Sequence, residues 1–123
     1  MMKNWEQVRP VVEHVLGEQR YSSSGDHKDK FCFLTCYQIA VLVHSQDGAL
    51  KEEDLPIGGK GEGGDDNRGF AQQIAWHLSR DINQRAYNDS IEMAFFSQVG
   101  LDKFTFDVDK QPSANEFSMF RIK

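Results

Sequence analysis

Apolar side chains recur at helical spacing in three stretches, then at every second position near the C-terminus, so helices come first and strands later. Over residues 4–19, Trp5, Val8, Val12, Val15 and Leu16 mark one helical face. Asn4 can cap this helix, with Gln7 as its capping-box partner. Pro10 removes one intrahelical donor and crowds the carbonyl four residues back. Either the helix kinks there or it begins near Arg9 with proline in its first turn, and the latter favours a helix over 10–19. Residues 31–44 are the most apolar part of the chain and exceed a typical strand in length. They predict a central helix packed on several sides. Ala71, Ile74, Ala75, Leu78 and Ile82, with Phe70 beside them, form the stripe of a third helix over 67–83, capped by Asp66 or Asn67.

After Asn88-Asp89 the period shortens to two. Phe104, Phe106 and Val108 alternate with Lys103, Thr105 and Asp107, and residues 91–97 and 117–123 also read as strands. The first pair, joined by QVGLD, predicts a hairpin. The fold class is α+β: one domain, residues 1–123, of three N-terminal helices followed by a small three-stranded antiparallel sheet. Three helices and then a hairpin resembles the element order of winged-helix domains. That resemblance implies that residues 69–80 form a recognition helix, offering Gln72, Gln73, His77, Ser79 and Arg80 to base edges. In size the chain resembles small bacterial accessory proteins.

Charge weighs against a nucleic-acid partner. The net charge is −5, and residues 31–67 carry all of it, with seven acidic groups against two basic ones. All seven acids belong to the connector between the second and third helices, and it would repel a phosphate backbone. With 123 residues and 39% hydrophobic content, the chain can bury a core without disulfides or metal. The longest aliphatic run, 39–43, is far too short to span a bilayer, and the first ten residues lack the apolar stretch of a secretory signal. The expectation is a cytoplasmic protein with no membrane partner.

Five of the seven residues from 58 to 64 are glycine, and a helix pattern follows almost at once. Dense glycine permits close backbone approach, and a helix start offers amide donors to an anion. Gly59, Lys60, Gly61, Arg68 and His77 are the candidate ligand-binding set, for a small anionic compound or an enzymatic site. Gly59, Gly61 and Gly64 match the dinucleotide-binding spacing, but no strand precedes them and no Gly-Lys-Ser/Thr follows. A turned or mobile connector is the more economical reading. Ser24, Asp26 and His27 are neighbours in sequence only, without the strand-to-helix elbow of a hydrolase. Cys32 and Cys36 read as reduced thiols packed in the core. Neither they nor His14, His44 and His77 have the spacing of a metal site, and no cofactor is expected.

Six of nine phenylalanines fall in the last third: Phe95, Phe96, Phe104, Phe106, Phe117 and Phe120. Adjacent Phe95 and Phe96 point to opposite sides of a strand, so the sheet should be apolar on both faces. One face can meet the helices, and the other then needs a cover. The leading expectation is a non-catalytic binding module, homodimeric through these six residues or open to another protein partner. The anionic-ligand site and the winged-helix nucleic-acid binder are the alternatives.

Overall fold

A computed structural model describes residues 5–21, 30–46, 69–101 and 116–123. The order is α1 (Trp5–Gly17), β1 (Leu34–Thr35), α2 (Cys36–His44), α3 (Phe70–Asn83), a single 3-10 turn (Tyr87–Asp89), β2 (Ile91–Ser97) and β3 (Glu116–Ile122). The α+β class holds, but a short strand intervenes between the first two helices. The expected order of three helices and only then a sheet is therefore corrected.

Helix α1 begins at Trp5, so the reading that started it near residue 10 is also corrected. Pro10 deprives the Glu6 carbonyl of its intrahelical donor. Glu6 and Pro10 are both exposed, so water can take the donor's place. The inward face carries Trp5, Val8, Val12, Val15 and Leu16 as the spacing predicts, with Arg9 buried among them.

The stretch expected as one helix over 31–44 divides at Thr35. The Thr35 hydroxyl accepts from Gln38 N–H at 3.1 Å, and the Gln38 side chain accepts from Thr35 N–H at 2.8 Å. This reciprocal capping box fixes the start of α2 at Cys36. Ahead of it, Leu34 and Thr35 pair antiparallel with Phe120 and Met119. Helix α3 starts at Phe70, and its N-cap is Gly69, which makes no side-chain cap bond, rather than Asp66 or Asn67.

The sheet order is β1-β3-β2, with both pairings antiparallel. Its third strand is thus β1. The expected strand over 103–108 lies outside the described residues. Register places Ile91 opposite Ile122 and Met93 opposite Phe120, with Leu34 on the other side of Phe120. Partners in register share a face, and this face meets the helices. Phe120, Phe70, Ile74, Leu78, Ile39, Leu16 and Val12 form the fully buried centre. The other face is mixed rather than apolar throughout. Glu92 and Arg121, opposite each other in register, form an ion pair there, beside half-buried Ala94 and Met119. Among the described residues no helix is long and apolar enough to cross a membrane.

Candidate functional site

Strand β2 runs past the helical cover. Phe95 sits in register with Ser118 on the core side of the sheet, yet it is 70% exposed. The chain then turns: Val99 N–H donates to Ser97 Oγ at 3.2 Å and Leu101 N–H to the Gln98 carbonyl at 2.9 Å. Gly100 has φ +88°, at the position where a type II turn requires a left-handed residue. This turn holds Val99 at 78% and Leu101 at 50% exposure, so three apolar side chains are displayed within seven residues of chain. Residues 93–101 contain no charged side chain.

Of the six phenylalanines expected at an interface, Phe95 alone is shown strongly exposed. Phe96 is half-buried and packs against the core, while Phe120 is at its centre, with no exposed surface. Phe104 and Phe106 lie outside the described residues, as does the Phe117 side chain. Val99 and Leu101, both exposed, stand outside that expected set. Their signal was the Val-Gly pair inside the predicted hairpin turn, which puts flanking side chains outside.

Gly59, Lys60, Gly61 and Arg68 lie outside the described residues, so of the expected ligand set only His77 is placed. Its ring stacks on Trp5, with centroids 4.7 Å apart and planes at 11°, and meets the edge of Trp76 at 4.9 Å. Burial, with Arg80 second, holds His77 below its ordinary pKa, while Asp81 acts in the opposite sense. Next to this stack, Asp81 Oδ2 accepts from Trp5 Nε1 at 2.9 Å and from Arg9 Nη1 at 2.7 Å. Arg9 also reaches Glu13 at 3.0 Å and Ser90 Oγ at 3.3 Å, and lies 4.0 Å from the Tyr87 ring centroid. The cluster ties α1 to the end of α3 and to the turn after it.

The residues that a recognition helix would present are largely engaged. Gln73 and His77 are buried, Gln72 Nε2 donates to the Tyr37 hydroxyl at 3.1 Å, and Ser79 Oγ lies 3.4 Å from Met93 Sδ. The Arg80 side chain is half-buried, its guanidinium 3.4 Å from Asp81 and 5.2 Å from the Trp76 centroid. His14 is exposed and lies 3.2 Å from Glu18, and His44 stacks on Phe70 with centroids 4.6 Å apart. Both cysteines are free thiols. Cys36 is buried, and burial pushes its thiol up to about 12. Among the described residues no group of three or more His, Cys, Asp or Glu could hold a metal ion. No family model, no curated protein and no solved structure matches this chain.

Proposed function

We propose that this chain is a non-catalytic interaction module on a winged-helix-like frame, and that it pairs with a second copy of itself through the apolar end of β2. The frame reading rests on an antiparallel strand pair that follows α3. Strand β1 adds a third strand to that pair without changing the order of the helices. One observation carries the pairing: Phe95, Val99 and Leu101 stand 50–78% exposed in an uncharged stretch. Covering a large apolar side chain contributes about 1.5–3 kcal/mol, and a two-fold axis uses one patch twice. In a chain of net charge −5, two copies meet with least repulsion where neither carries charge. Two free thiols agree with a reducing, cytoplasmic setting.

Light scattering across a concentration series tests the pairing. The expected result is a mass that rises toward the dimer and a Phe95→Asp variant that stays monomeric. A wild-type chain that remains monomeric at high concentration overturns the reading. Duplex DNA at low salt is expected to give no complex, because the side chains available on α3 are few and the net charge repels phosphate.

A further inference from the structure

Two extended segments meet after α1. Tyr21 N–H donates to the Lys30 carbonyl at 2.8 Å, Cys32 N–H donates to the Gln19 carbonyl at 2.6 Å, and Arg20 bridges antiparallel to Phe31. The pairing brings Tyr21, Lys30, Phe31, Cys32 and Phe33 beside Arg121 of β3, and these six line an open cleft of about 480 Å³. That volume falls within the ~300–1,000 Å³ usual for small-molecule sites.

The lining combines flat apolar surface with positive charge. Arg121 is fixed from three sides: Nε donates to Glu92, Nη1 donates to the Phe31 carbonyl at 3.4 Å, and the guanidinium lies 4.4 Å from the Phe33 centroid. Arg20 lies 4.5 Å from the Phe31 centroid, and the Lys30 side chain is exposed. Glu92 offsets the charge of Arg121, so among the described residues Lys30, with Arg20 next to it, gives the cleft its positive charge, and Arg121 adds N–H donors. Aromatic side chains beside cations suit a ligand that stacks with one part and carries negative charge on another.

We propose that this cleft binds a small planar ring bearing a phosphate or a carboxylate, the ring against Tyr21 and Phe31 and the anion toward Lys30 and Arg121. The cleft shares no residue with the apolar end of β2, so it stands or falls independently of the pairing proposed above.

Cys32 supplies a reporter within the cleft. The other thiol, Cys36, is buried and held protonated near neutral pH, so iodoacetamide should alkylate Cys32 alone in the folded protein. AMP and naphthoate join a ring to an anion, whereas adenosine and inorganic phosphate each supply one half. AMP, naphthoate or both should slow alkylation severalfold at millimolar concentration, and the halves much less. Protection by AMP alone assigns the phosphate, and by naphthoate alone the carboxylate. Lys30→Glu, on an exposed side chain, should weaken the protecting compound about tenfold, equivalent to ~1.4 kcal/mol. Calorimetric titration of both proteins carries the same decision if Cys32 alkylates too slowly to follow. No protection and no binding heat from either compound, or affinity undiminished in Lys30→Glu, overturns the proposal.

Discussion

Arg9 and Asp81 stand 72 positions apart in the chain and meet at 2.7 Å, Nη1 to Oδ2, with side chains only 3% and 4% exposed. Asp81 also holds the Trp5 indole N–H. Removing one member of such a buried pair strands the other, which costs about 3–5 kcal/mol. Asp81→Ala should therefore lower unfolding stability by about 3 kcal/mol, because it orphans the Trp5 donor and leaves Arg9 with weaker partners. Glu13, the other carboxylate on Arg9, is 39% exposed, and Glu13→Ala should cost no more than about 0.5 kcal/mol. Urea unfolding followed by tryptophan fluorescence compares the two. Equal effects would mean that the buried contact adds nothing beyond a surface pair.

The capping box at Thr35 makes a second comparison. Thr35→Ala removes the acceptor for Gln38 N–H and should cost about 1 kcal/mol by chemical denaturation. Thr35→Ser keeps an oxygen in place and should recover most of that loss. A serine variant as unstable as the alanine one would move the effect from the cap to the packing of the threonine methyl group.

This junction also separates what the sequence makes legible from what it does not. The pattern Thr35-x-x-Gln38 before an apolar run is a local signature of a helix start, and it stands in plain view around Cys36. Strand β1 has no such signature. It is two residues long and exists through pairing with Phe120 and Met119 far downstream, which periodicity in a short window cannot register. The stripe of α3 was readable because amphipathic spacing is a local property. Arg9 was not, because an arginine reads as surface until its partner on another element is known. Likewise, alternation tells which face Phe95 occupies but not how far along β2 the helices reach.

His77 gives stability a pH dependence of definite sign. Burial lowers its folded pKa below the ordinary 6.5, so above 6.5 it is neutral in both folded and unfolded chains and contributes no slope. As pH falls through 6.5 the unfolded chain takes up the proton first, and stability drops until the lower folded value is passed. His44 shifts in the same direction through burial, so the two contributions add. His77→Phe keeps a flat ring against Trp5 and should flatten the slope of unfolding free energy against pH. An unchanged slope in this variant would assign the acid sensitivity to other groups.

Phe120 and Phe95 offer the sharpest contrast, since both lie on the core-side register of the sheet and only one is covered. Phe120 is wholly buried against helices and strands, and Phe120→Ala should cost about 3–5 kcal/mol. Phe95 is 70% exposed, and Phe95→Ala should fall within about 0.5 kcal/mol of wild type in dilute solution. Concentration then separates an idle side chain from a covered one. Association favours the folded state by mass action, so the wild-type unfolding midpoint should climb as protein concentration rises. In Phe95→Ala that climb should shrink or vanish while the dilute midpoint stays put. If both proteins show the same dependence on concentration, or neither shows any, the exposed ring of Phe95 contributes to neither folding nor pairing.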